Sequence, residues 1–422
     1  MVQLFQLSFN ADIFYAAVVA GMIEKLAVKE GLTEIASSRL SLGTEEVVAY
    51  LSNKFTGKKI DVEAAKDALG VQVRFSLPEL FSDLHVFNLS TNYRPILDEE
   101  SNFNRMGLYL AARFADGFSL ELKNQRIEMT LKQGYEFETI HKMETIPQYR
   151  GQFSIADSNY DTVTDACASI LNRYKSDQYA SVVHTPEKLW AYMQEEIFRA
   201  CSVKDEAGNV AGFLYWENLS NKSANFYGPY LFADDKETIA ELLFKHMFET
   251  IAKSSLFAVF NGIATSSVPS NFFEKIMIDE ARLMYYRQLN EEVGMVVRTP
   301  SILRQYLEGF YEKLLLIRDI VVVDGYNKSD KQECSLFGID FDKINKAATI
   351  IPLVDGKDAT ANIESHINYL RSENYSEIYA RFDLFYAWQA ILAALFYQNG
   401  FQPYLVKPYA GQSDILIMKF YE

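Results

Sequence analysis

The apolar residues of this chain change their spacing many times, and no apolar run is long. Between residues 11 and 30 they fall at helical spacing, with Ile13, Ala17, Val18, Met22 and Leu26 on one stripe. Around Val71, Val73 and Phe75 they alternate with Gln72 and Arg74, the pattern of a half-buried strand. A chain that switches between these two periods has to layer helices on sheets. The stretch from Ile13 to Ile23 is too short to cross a bilayer and runs into Glu24 and Lys25. No other run approaches about 18 apolar residues. The first positive residue is Lys25, so the start lacks the basic flank of a secretory leader. These features predict a cytoplasmic protein of bacterial type, with no membrane insertion.

The chain has 422 residues, and at roughly 150 residues per domain it predicts two or three domains. Hydrophobic residues are 49% and charged residues 23%, which excludes disorder, collagen and coiled coil as the main architecture. Its net charge of −15 argues against a general affinity for nucleic-acid backbones. The three cysteines, Cys167, Cys201 and Cys334, are far apart and odd in number. They build neither a disulfide framework nor a metal knuckle, and read as buried thiols in a reducing compartment.

Helices are expected over 11–30 and 33–53, strands near Val71–Phe75 and Leu84–Leu89, and a short helix over Gly107–Asp116. A hairpin follows, Phe118–Leu122 with Arg126–Leu131. A polar connection over Gly134–Gly151 places the first boundary. Beyond it come a helix over Tyr160–Ser176 and a helix opened by Thr185-Pro186, with threonine as cap and proline at the first helical position. Then follow a hairpin turning at Glu206–Asn209, a strand over Asn225–Leu231, a helix over Asp235–Lys253 and a strand over Phe257–Ala264. A third unit begins near Ser301, and residues 256–290 and 378–409 share a strand–helix–strand layout.

Three segments together resemble the anti-sigma-factor kinase branch of the GHKL ATPase superfamily. The first, Leu40 to Tyr50, stands where that family has a helix ending in Glu-x-x-x-Asn. Glu46 keeps the acid, and Tyr50 takes the place of the magnesium-binding asparagine. The second, Phe87 to Ile96, lacks the Asp-x-Gly that reads adenine. The third, Met106 to Asp116, retains Gly107 and Leu108 of a helix start that closes over phosphates. The resemblance implies a degenerate nucleotide pocket in which Glu46 and Gly107 are remnants, with ATP and Mg²⁺ as its cofactors if it still works.

Residues 150–300 resemble the GNAT acetyltransferase superfamily. Ala211-Gly212-Phe213-Leu214-Tyr215 occupies the place of its central strand pair. Asn225 to Leu231 stands where a strand opens against the acyl-CoA arm, and the Asp235 helix where the pyrophosphate helix begins. The resemblance implies Tyr227, Gly228, Tyr230 and Leu231 as acyl-CoA groove residues, with acetyl-CoA as the cofactor. Near the C-terminus, Glu377–Asp383 and Leu395–Phe401 resemble a late strand and a helix ending of the same superfamily, with Phe396 at the tyrosine position. The family's glycine-rich phosphate loop is replaced by Leu231-Phe232-Ala233-Asp234-Asp235-Lys236-Glu237, which has no glycine and three carboxylates. Such acids cap a helix themselves and repel a pyrophosphate.

The expected fold is therefore α+β. An N-terminal two-layer α/β sandwich, GHKL ATPase-like, over 1–140 is followed by GNAT-like α/β units over 150–300 and, in part, 301–422. His85, His141, His184, His246 and His366 are scattered, with no pair at metal-ligand spacing, and Asp98-Glu99-Glu100 reads as a solvated loop. No catalytic residue and no metal ligand is assigned. The expected role is regulatory, through a protein partner or a small molecule, without nucleic acid or membrane, as a partner-switching component. Two enzyme readings stand beside it: an acyl-CoA-dependent N-acetyltransferase with an unusual phosphate loop, and a nucleotide-dependent serine kinase using Glu46.

Overall fold

A computed structural model describes residues 2–421 apart from 78–87, 89–106, 109, 124–125, 141–146, 266, 278–282, 292–293, 326–331 and 343–344. The expected strand at Leu84–Leu89 lies outside the described residues except for Asn88. So do His85, His141, Asp98–Glu100 and, again except for Asn88, the Phe87–Ile96 segment.

The N-terminal part opens with a strand, β1 (Val2–Asn10), followed by α1 (Phe14–Lys29) and α2 (Glu34–Lys54). Then come β2 (Lys59–Asp67), β3 (Gly70–Leu77), α3 (described at residues 107–108 and 110–114), β4 (Gly117–Lys123) and β5 (Arg126–Gly134). The five strands form one antiparallel sheet in the order β1-β2-β3-β5-β4. Thr33 caps α2, its hydroxyl accepting from the Ala36 amide at 3.3 Å. Strands β1 and β2 escape the periodicity reading, because β2 (Lys-Ile-Asp-Val-Glu-Ala-Ala-Lys-Asp) is poor in strand-forming residues and is held by neighbours on both sides.

The stripe expected to bury α1 is corrected. Ile13, Val18 and Met22 are 55%, 43% and 43% exposed, and the buried face is Ala16, Val19, Ala20, Ile23 and Ala27. The small residues let α1 approach α2 closely enough for the Ser41 hydroxyl to donate to the Ala20 carbonyl at 2.9 Å. Tertiary contact, not side-chain size, selects the face.

The middle part runs β6 (Ser154–Ala156), α4 (Tyr160–Arg173), α5 (Pro186–Gln194), β7 (Phe198–Lys204), β8 (Val210–Asn218), β9 (Ser223–Leu231), α6 (Lys236–Ile251), β10 (Ala258–Ala264), β11 (Glu274–Met277) and β12 (Leu283–Gln288). Its seven-stranded sheet has the order β11-β12-β10-β9-β8-β7-β6. Strands β9 and β10 run parallel, and their register ends at Gly228 opposite Ala264. No helix lies between β10 and β11 among the described residues, so the layout expected over 256–290 is corrected to strand, loop and hairpin. The loop carries Pro269 and small residues, with little helix-forming sequence.

The last part begins with β13 (Met295–Thr299), α7 (Ser301–Leu314) and β14 (Arg318–Val322), the two strands pairing in parallel. It continues β15 (Leu336–Asp342), β16 (Ala347–Val354), α8 (Ala359–Ser372), β17 (Glu377–Asp383), α9 (Ala387–Gln398), β18 (Phe401–Lys407) and β19 (Ile415–Phe420). The sheet order is β15-β16-β17-β19-β18. Pair by pair, this repeats β8-β9-β10-β12-β11: antiparallel, parallel, antiparallel, antiparallel. In both sheets a proline, Pro229 or Pro352, stands seven residues before the first residue of the crossover helix. Among the described residues no helix is long and apolar enough to cross a membrane.

Candidate functional site

The end of β9, where β9 and β10 part, decides whether the middle sheet can take a ligand. Three neighbouring groups reach this end of the strand from other elements. Thr265 donates its hydroxyl to the Pro229 carbonyl at 3.0 Å. The Leu231 amide donates to the Tyr174 hydroxyl at 2.7 Å, and that hydroxyl donates in turn to the Leu231 carbonyl at 3.3 Å. Arg173 donates to the Phe232 carbonyl. The Phe232 amide returns to the Ala211 carbonyl at 2.8 Å. This strand end is therefore satisfied by protein groups, as buried backbone must be.

The side chains around it are aromatic and packed. Tyr215 stacks on Tyr227 with ring centres 4.7 Å apart and on Tyr230 at 6.3 Å. Tyr174 meets Tyr230 edge-on at 5.2 Å. Phe213, Tyr215, Tyr230 and Phe232 are buried. Burial pushes the Tyr230 and Tyr215 phenols far above their ordinary range, so neither gives up a proton at neutral pH. Tyr227 is also raised, by burial first and then by Glu217, to whose Oε1 its hydroxyl donates at 2.6 Å. Gly228 has φ +100°, and a Cβ there would fall 2.9 Å from the Tyr230 nitrogen and 3.2 Å from the Phe213 carbonyl oxygen. Only glycine fits that bend.

Of the four residues expected in an acyl-CoA groove, Tyr227 and Tyr230 belong to this aromatic cluster, Leu231 packs in the neighbouring core under α6, and Gly228 makes the bend between them. Tyr230, Leu231 and Gly228 are buried, and Tyr227 is half-buried. The helix that follows is capped as its acids predicted: the Asp235 carboxylate accepts from the Thr238 amide at 3.3 Å, with Glu237 in the first turn. Tyr174 and Arg173, which close the strand end, were not anticipated from sequence. They lie 57 and 59 residues from their partners, and nothing local in the sequence marks them.

In the N-terminal part the two expected pocket remnants do meet. Gly107 begins the described part of α3, and a Cβ on it would fall 2.4 Å from Glu46 Oε2 on α2. Tyr50, one turn further along α2, is buried. Among the described residues no group of three or more His, Cys, Asp or Glu side chains is placed to hold a metal ion. Cys167 and Cys201 are buried free thiols, and burial pushes both far above the usual range, which leaves them unreactive. Cys334 is half-buried and is in no disulfide.

No protein-family model and no curated protein matches the chain. Among solved structures, 33% of the chain aligns with the whole of a GNAT-family acetyltransferase from Staphylococcus aureus Mu50, at 14% identity and a TM-score of 0.27. The same share aligns with 94% of a variant of the spermidine N-acetyltransferase of Vibrio cholerae, at 12% identity and a TM-score of 0.24.

Proposed function

We propose that this chain is a cytoplasmic regulatory or binding protein, built from a GHKL-like N-terminal unit over 1–140 and GNAT-like units over 150–300 and 301–422, that carries out neither ATP hydrolysis nor acetyl transfer. The observation that carries this reading is the Tyr174 hydroxyl on the Leu231 amide. Acetyl transfer from CoA relies on a backbone N–H free to polarise the thioester carbonyl. Here a protein hydroxyl holds the amide at the strand split, and aromatic rings fill the space beside it. The acid-capped start of α6 adds to this, because a pyrophosphate there would meet Asp234, Asp235 and Glu237. The residues present do not fit acetyl-CoA in the middle sheet. Its role is then recognition, of a protein partner or a small molecule, in a partner-switching scheme without nucleic acid or membrane.

The acetyltransferase reading keeps one observation in its favour. Strands β9 and β10 are parallel and stop pairing at Gly228 and Ala264, which is the split that positioning an acyl group requires. The kinase reading keeps the contact of Glu46 with Gly107. Thermal unfolding with acetyl-CoA, CoA, ATP and ADP, each with Mg²⁺, separates the three. A ligand at about 100 times its Kd stabilises by about 2.7 kcal/mol. No shift is expected from any of the four. A shift with acetyl-CoA overturns the preferred reading in favour of the transferase, and an ATP shift lost in Glu46→Ala overturns it in favour of the kinase.

A further inference from the structure

The repeated sheet in the last part of the chain is not filled in the same way. Strands β16 and β17 pair from Ala347 opposite Glu377 to Ile350 opposite Ala380, and then part. Beyond that point lies a cavity of about 430 Å³, bounded by Ile351 and Pro352 on one strand and by Arg381 and Asp383 on the other. The register shows why these side chains share a face. Arg381 lies opposite Ile417, Asp383 opposite Ile415, and Ile415 opposite Lys407. The other face of the same strands is core, with Ala380, Phe382, Leu416 and Met418 buried. Leu219, at the end of β8, closes one side, so the cavity sits on the seam between the middle and last sheets.

Two cations line this cavity, and among the described residues neither the Arg381 nor the Lys407 side chain makes a hydrogen bond or an ion pair. Of the nearby acids, Asp383 and Glu217 are already engaged, while Asp340 on β15 feels the Arg381 charge, which opposes the upward push of burial on its carboxyl. Asp383 accepts from three backbone amides, those of Phe385 at 3.0 Å, Gln412 at 2.8 Å and Ser413 at 3.2 Å. Glu217 Oε1 accepts from the Tyr227 hydroxyl and from the Asn225 amide group. Gln389 spends its carbonyl on the Asp383 amide at 2.6 Å, which leaves its NH2 as a further donor on the wall. Burial lowers the pKa of the Lys407 amine, Arg381 adds to that, and Glu217 opposes it. An incoming negative group would relieve both the burial and the repulsion.

We propose that this cavity binds a small organic anion, with its carboxylate or phosphate head between Arg381 and Lys407 and a short apolar chain against Ile351, Ile415 and Ile417. A planar guanidinium beside an ammonium suits either head, and the volume is that of a small-molecule site. The cavity lies in a different sheet from the filled strand end, so this inference stands whether or not the reading of the middle unit holds.

The test is isothermal titration of the full chain with hexanoate and with hexyl phosphate, using hexanol and hexylamine as controls. At least one anion is expected to bind, and the one that binds more tightly identifies the head. The double variant Arg381→Gln/Lys407→Met is expected to weaken that binding about tenfold or more, while Lys407→Arg retains it. Arg381 is exposed, so Arg381→Gln alone leaves the fold intact and is expected to lose affinity as well. The proposal is overturned if neither anion binds, if hexanol binds as well as the anions, or if the double variant binds like the parent.

Discussion

Asp414→Ala is expected to lower the unfolding free energy by about 3–5 kcal/mol, the cost of leaving one buried charge without its partner. The charge left behind is Arg318. Its Nε and Nη2 donate to Asp414 Oδ2 and Oδ1 at 2.7 and 3.2 Å, and both side chains are fully buried. The guanidinium is also sandwiched by aromatics, 4.6 Å from the Tyr409 ring centre and 5.4 Å from that of Tyr311. Asp414 accepts from the Tyr409 amide at 2.7 Å too, so alanine strands that donor as well. The pair joins β14 to the segment just before β19. Urea unfolding checks the magnitude. The double variant Arg318→Met/Asp414→Leu is expected to recover most of the loss, because an apolar pair replaces a buried ion pair at little cost. A single variant within about 1 kcal/mol of the parent contradicts the buried geometry.

The second large effect is a dependence on acid. His366 on α8 is fully buried, with its Nδ1 2.9 Å from the Asn362 carbonyl and its ring 5.4 Å from that of Phe337. Burial lowers its pKa from 6.5 to about 4, against the opposing hydrogen bond to Asn362. The folded chain thus keeps the ring neutral at a pH where the unfolded chain protonates it. Between pH 6.5 and 4 the unfolded state binds the extra proton, so stability is full above 6.5 and is lost on acidification through that window. The shift corresponds to about 3 kcal/mol. Asp355 works in the opposite direction: burial raises it to about 6, so its contribution is present at low pH and lost as pH rises from about 4 to 6. Comparing the parent with His366→Met cancels Asp355 and the other carboxylates. The stability difference between the two is expected to shift by about 3 kcal/mol in favour of the variant between pH 7 and pH 4. A constant difference contradicts a neutral buried ring.

What could be read from the sequence was local. The cap at Asp235, the proline at the first position of the Pro186 helix and the hairpin over Glu206–Asn209 each depend on residues a few positions apart, and the structure has all three. The expected cap by Thr185 is corrected: its hydroxyl donates back to the Val182 carbonyl at 3.3 Å and accepts no amide of that helix. The α1 stripe was misplaced because that helix carries apolar residues on several sides, and only contact with α2 chooses among them. Strand β2 was missed because its composition is carried by its neighbours. The contacts that matter most are distant in sequence. Tyr174 reaches Leu231 across 57 residues, and Arg318 reaches Asp414 across 96. The cavity at Arg381 and Lys407 exists only because one sheet order is repeated and the second copy is left open, and no motif in the sequence marks that difference.

The filled strand end can be read at a single atom, by hydrogen exchange at the Leu231 amide. With the Tyr174 hydroxyl already on it, that amide is expected to exchange slowly in the free chain, and acetyl-CoA is expected to leave its rate unchanged. Fast exchange in the free chain that slows when acetyl-CoA is added would show an open amide awaiting a thioester, and would contradict a middle sheet closed by its own side chains.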